Sequence, residues 1–88
     1  MQDPIRRLSS QEASKEVASL AVSFARSNGL EGELLHVAPD DFYSETEGKI
    51  RIHWVAVFQN LRNGREMDGP IVLRVNLRDR EVRWATEA

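Results

Sequence analysis

The chain contains no cysteine, so neither a disulfide framework nor thiolate ligation of zinc is open to it. No stretch approaches the ~20 consecutive apolar residues that a membrane-spanning helix needs. The glycine-rich phosphate cradles G-x-G-x-x-G and Walker A are both missing. So is the G-x-S-x-G elbow that raises a nucleophilic serine. His36 and His53 are the only two histidines, and they do not form a metal-binding H-x-x-x-H pair. The opening MQDPIRRLSSQE has no apolar h-region, so a signal peptide is not expected and a reducing, cytoplasmic location is. Together these gaps leave no diagnostic motif for a catalytic residue, and the chain is read as more plausibly non-enzymatic. No cofactor is expected.

What remains is the composition of one small globular domain spanning residues 1–88. Its 88 residues are 41% hydrophobic and 30% charged, an ordinary balance for a folded chain. The charges are segregated along it. Glu31, Glu33, Asp40, Asp41, Glu45 and Glu47 fall between residues 31 and 48, where there is no Lys or Arg. Residues 49–88 carry eight basic residues against five acidic ones. The net charge of −2 argues against nucleic acid as a partner, because affinity there rests on neutralising phosphates.

The expected fold is α+β: one N-terminal helix packed on an antiparallel meander of three strands, with a fourth as an option. Ser9 and Glu12 match a capping box, and Ala13, Val17, Leu20, Ala21 and Phe24 recur on one helical face. Asn28-Gly29 supplies a C-terminal stop, placing the helix at about 10–28 after a tail at 1–8. Val22 points away from that stripe, between Lys15 and Arg26, as a lone exposed valine or a contact point. Residues 31–48 form an acidic connection in which L-L-H-V (34–37) reads as a short strand. Pro39-Asp40-Asp41 reads as a turn, Phe42 and Tyr43 dock on the core edge, and Ser44–Gly48 reads as a solvated loop.

Strands are expected at about 49–59, 70–77 and 81–86. Ile52, Trp54, Ala56 and Phe58 alternate with Arg51, His53, Val55 and Val57, the pattern of a half-buried strand. Asn63-Gly64 is a strong hairpin signal. With that pair at the tip, Ile50 faces Leu77, Ile52 faces Val75, Trp54 faces Leu73, Ala56 faces Ile71 and Phe58 faces Gly69. A tight turn at Arg78-Asp79 then aligns Trp54, Leu73 and Trp84 in one row beneath Leu20 and Phe24. Both tryptophans point inward, so the outward aromatics of a single-strand nucleic-acid platform are lacking.

The helix ending R-S-N-G-L, the acidic connection, W-V-A-V-F and V-L-R-V-N-L-x-x-x-x-V together resemble small bacterial cystatin-like or PepSY-like modules. The resemblance covers about residues 10–86, although Asn76 and Asp79-Arg80 stand where such modules often carry an Asp and a Thr-Gly turn. It implies a helix on a curled sheet and the roles of inhibitors, toxin-immunity proteins or regulatory domains, and it carries over no catalytic residue.

The same register assigns the outer sheet face. Arg51 faces Asn76, His53 faces Arg74, Val55 faces Val72 and Val57 faces Pro70, with Arg83 beside Arg74 and Ala85 beside Val72. An apolar strip thus adjoins a cationic row, and like charges side by side call for something anionic nearby. Three readings follow: the acidic 31–48 segment folds over this face; a protein docks there; or it is a ligand-binding or catalytic cleft. His53 with nearby carboxylates as a divalent-metal site competes with a plain surface histidine, and the acids of 40–47 do not match an EF-hand loop. The expected function is a small protein-binding module of the inhibitor or immunity-protein kind, binding a protein or a second copy through Arg51, His53, Val55, Val57, Val72, Arg74 and Arg83. The alternative is a small cystatin-like enzyme or ligand-binding domain with its pocket between helix and curled sheet.

Overall fold

A computed structural model describes residues 8–85. The Met1–Arg7 part of the expected tail, and Thr86 at the end of the expected last strand, lie outside them. Helix α1 spans Ser10–Ser27. Its start is the capping box: Glu12 N donates to Ser9 Oγ and Ser9 N to Glu12 Oε1, both at 3.1 Å. Two of the orphan donors at this end are thereby satisfied. Leu8, just before the cap, packs against the core rather than trailing as tail. At the other end Gly29 takes φ +72°, Leu30 N donates to Ala25 O (2.9 Å) and Gly29 N to Arg26 O (3.3 Å), a Schellman stop.

The buried line of the helix is Ala13, Val17, Ala21 and Ala25, flanked by half-buried Leu20 and Phe24. Residues four apart drift by ~40° around the axis at each step, so the contact line moves across the helix as it crosses the sheet. That drift corrects the placement of Val22. It stands opposite the stripe at the start of the helix, but by Ala25 the contact line has moved towards it, and Val22 packs against the core.

The main sheet has four antiparallel strands: β1 (Leu34–Pro39), β4 (His53–Phe58), β7 (Ile71–Asn76) and β8 (Glu81–Trp84), in the order β1-β4-β7-β8. Between them lie two short ribbons, β2 (Thr46–Glu47) with β3 (Ile50–Arg51), and β5 (Leu61–Arg62) with β6 (Arg65–Glu66). The optional fourth strand is therefore real, and it is the edge strand β1. An edge tolerates Pro39, which has no N–H to give, and a bulge between Leu34 and His36; both discourage pairing with another chain. Gly32 leads into β1 against the end of β4. A Cβ there would lie 1.8 Å from the Gln59 carbonyl oxygen, so only glycine fits.

The hairpin tip is where the sequence places it. Asn63 and Gly64 have φ of 52° and 76°, and Leu61 pairs with Glu66 across them. The register of the long strands is not as expected. Trp54 pairs with Val75, Ala56 with Leu73 and Phe58 with Ile71, a displacement of two residues. Its cause lies at the base of the ribbon. Met67 N still donates to Asn60 O (2.7 Å), but from that pair to Phe58–Ile71 one strand advances two residues and the other four. The extra chain loops through Gly69 at φ +75°, tethered by Asn60 Nδ2 to Gly69 O at 3.1 Å.

A two-residue shift leaves the paired side chains of β4 and β7 on their assigned faces. Trp54, Ala56 and Phe58 are 6, 0 and 2% exposed, and with Leu73 and Val75 they form the core beneath α1, while Ile52, just before β4, is also fully buried. Trp84 does lie beside Leu73, and Phe24 meets it edge to face with centroids 5.3 Å apart. The expected Trp54–Leu73–Trp84 row is corrected to Ala56–Leu73–Trp84, with Trp54–Val75–Val82 next to it. The 49–59 segment is also not one continuous strand. Ile50 and Arg51 turn back on Glu47 and Thr46, so Ile50 is not the strand partner of Leu77, whose N donates instead to Ile52 O at 3.0 Å.

Candidate interaction face

The observed register arranges the outer face in three rows running from β1 to β8. One holds His36, Val57, Val72 and Ala85, where Ala85 N donates to Val72 O at 3.0 Å. The next holds Ala38, Val55, Arg74 and Arg83. The third holds Asp40, His53, Asn76 and Glu81, with Asp40 N donating to His53 O at 2.9 Å. His53 therefore lies beside Asn76 rather than Arg74, Val55 beside Arg74 rather than Val72, and Val57 beside Val72 rather than Pro70. Arg83 is beside Arg74 as expected. Arg51 is displaced from Asn76 into the β2–β3 ribbon, opposite Thr46.

Residues 40–47 strap the polar end of this face. Arg51 donates through Nη2 to the carbonyls of Asp40 (2.9 Å) and Tyr43 (2.5 Å). The Tyr43 ring stacks on His53, centroids 4.5 Å apart, and His53 Nε2 lies 3.1 Å from Glu45 Oε1. Arg78 grips Glu45 and Glu47, each at 2.6 Å. Its donation, followed by that of His53, holds the Glu45 carboxyl below the ordinary glutamate range, and the two glutamates raise Arg78 in turn. Asp40, only 4% exposed, accepts from Phe42 N at 3.1 Å and has Oδ2 3.8 Å from Arg74 Nε. Arg83 Nε pairs with Glu81 at 2.8 Å, and Arg80 pairs with Glu16 of the helix.

The acidic block and the arginines thus compensate each other within the chain. The anion needed near Arg74 is Asp40, and the one needed near Arg83 is Glu81. The strap ends at the polar row, and Val55, Val57 and Val72 lie half-buried beyond it. Two expectations about the strap need correcting. Ser44–Gly48 is not wholly loop, because Thr46 and Glu47 pair with β3. Phe42 does not dock on the core edge but stands 87% exposed. The turn directs its ring outward while Tyr43, 42% exposed, finds His53.

Two clefts flank the strip. One of about 360 Å³ sits at the polar end, between Asp40, Tyr43, His53, Arg74, Glu81 and Arg83. Acids and bases alternate around it, so it has no single sign of charge. The other, about 610 Å³, lies at the far end, among Leu30, Leu61, Arg62, Ile71, Val72 and Trp84. Among the described residues, no group of three or more His, Asp or Glu is placed to hold a metal ion, and no helix is long and apolar enough to cross a membrane.

His36 and Ala38 join the outer face because β1 pairs with β4, and L-L-H-V was the signal for it. Asp40, Tyr43, Glu45 and Arg78 were not among the sequence candidates for the face. Charge segregation pointed to the role of Asp40, Glu45 and Arg78, without naming which acid meets which arginine, and nothing in it pointed to the stack of Tyr43 on His53. Comparison with protein-family models, with characterised proteins and with solved structures finds no match to this chain.

Proposed function

We propose that the chain is a non-enzymatic protein-binding module of the inhibitor or immunity-protein kind, docking through the outer face of its four-stranded sheet. The observation that carries this reading is the strip of half-buried Val55, Val57 and Val72 on the outer face of the two central strands. The flanking polar groups already have partners in the chain: Arg74 with Asp40, Arg83 with Glu81, and the His53 ring with Glu45. A partner that buries the strip therefore gains apolar area without stranding an unpaired charge, the costly outcome at an interface. Both sheet edges are poor templates for strand addition. One carries Pro39 and a bulge, the other Glu81 and Arg83. That leaves the face itself as the docking surface.

The test pairs Val55→Asp/Val57→Asp with Met67→Asp, an exposed apolar residue remote from the strip. Both variants should keep a cooperative thermal transition. In affinity capture from the organism that encodes the chain, a protein retained by wild type and by Met67→Asp should be lost by the valine double variant. Equal retention by all three would overturn the proposal.

A further inference from the structure

Among the described residues Phe42 is the most exposed of the large apolar side chains, yet its turn is not loose. Phe42 N donates to Asp40 Oδ1 and Tyr43 N to Asp40 O, each at 3.1 Å. Arg51 fastens the carbonyls on either side, and Tyr43 is stacked on His53. The ring is held out in water by a rigid support, so little ordering remains to be done when it binds. Aromatic anchors of this kind dominate the energetics of interfaces.

The chain also carries a cleft large enough for an aromatic ring. The 610 Å³ cleft has apolar walls at Leu30, Leu61, Ile71 and Trp84 and a polar rim that includes Arg62 and Glu31; the Glu31 carboxylate already accepts from Asn63 N at 2.7 Å and Gly64 N at 3.4 Å. The size of the cleft is well within the range of pockets that enclose aromatic ligands. Arg62 suits the carboxylate of Asp41, which precedes Phe42 and is itself exposed. The tip cannot reach its own cleft. The turn joins the sheet beside His53, at the start of β4, and the cleft begins at Ile71, the partner of Phe58 at its end. Those points are separated by five residues of strand, roughly 17 Å.

We propose that two copies of the chain pair about a twofold axis, each inserting its Asp41–Phe42 tip into the other's cleft. An antiparallel pairing brings unlike ends of two β4 strands together, so one symmetry operation makes both contacts and closes the assembly at two. The net charge of −2 per copy opposes association only weakly. This interface is separate from the outer-face docking surface, sharing only Val72 at its border, and the test leaves Val72 unchanged.

The mass of the full chain is followed by sedimentation equilibrium from micromolar to millimolar concentration. Wild type should double in mass and stop at two. Phe42→Ala removes both anchors, and at ~30-fold per anchor it should weaken the pair by ~10³-fold. Leu61→Asp should act alike from the cleft side. An equimolar mixture of these two variants restores one tip and one cleft, so it should associate only ~30-fold more weakly than wild type. Unchanged melting of Phe42→Ala shows that folding is intact, and Val55→Asp/Val57→Asp should still pair. The proposal is overturned by a wild type that stays single throughout, by growth beyond two copies, or by a mixture no stronger than either variant alone.

Discussion

The two faces of the sheet are made of alternate residues of the same strands, yet they are held by different physics. On the inner face Trp54, Phe58, Leu73 and Val75 meet the helix in a dry core. Each large apolar side chain there contributes ~1.5–3 kcal/mol by leaving water, and that gain depends little on which apolar neighbour it meets. On the outer face the contacts are directional: a stacked ring, an Arg78 fork on two glutamates, a carboxylate beside Arg74. Exposed pairs of this type are each worth ~0–1 kcal/mol and exist only when particular residues are neighbours. A slide of two residues would cost the inner face little in kind but would remake the outer one.

The sharpest contrast comes from truncating one residue on each side of the same strand. Trp54→Ala should cost ~3–5 kcal/mol, since it leaves a cavity in the core and an unpaired Arg51 carbonyl where Trp54 Nε1 now donates at 2.8 Å. Val55→Ala, next along β4 but on the outer face, should cost under ~1 kcal/mol. Equilibrium urea unfolding measures both. Comparable losses would mean that the outer strip is as buried as the core, and the contrast would fail.

A second break is aimed at the strand that widens the outer face. Gly32→Ala forces a methyl group against the Gln59 carbonyl, which is backbone and cannot swing aside. The strain should cost ~1–3 kcal/mol. It should fall on the β1–β4 junction, where Gln59 N donates to Glu33 O at 2.9 Å. Hydrogen exchange should then show the Gln59 amide opening well before the amides of β7. Protection lost evenly across the sheet would show that β1 does not open independently.

The same contrast explains how much could be read from the chain. The helix, both of its caps, the Asn63-Gly64 tip and every inward residue of the central strands follow from local chemistry and parity. Parity survives an insertion of two. The register does not, because no composition signal distinguishes Asp68-Gly69-Pro70 as a loop-out from the same residues as the end of a strand. The inner face was therefore legible and the outer neighbours were not. His53 beside Asn76, rather than Arg74, is the direct result. Residues 40–47 were obscure for another reason: their order comes from Arg51 and Arg78, four or more residues away along the chain, and not from any periodicity of their own.

The smallest effect expected is also the one most specific to the outer face. Glu45 has its carboxyl lowered by donation from Arg78 and then from His53. A group depressed in the folded state binds fewer protons there than in the unfolded chain, so it adds stability above the ordinary glutamate range. That contribution is lost as the pH falls through the folded value. Glu45→Gln should therefore melt slightly below wild type at neutral pH, and the gap should narrow as the pH is lowered below the ordinary glutamate range. Raising salt at neutral pH should narrow the same gap, because the pair is exposed and screened. Glu12 is lowered as well, but by Ser9 at the helix cap, so its acid response should persist unchanged in Glu45→Gln. A gap that stayed constant from neutral to acid pH would mean that Glu45 contributes through packing, and the ionic account of the strap would have to be replaced.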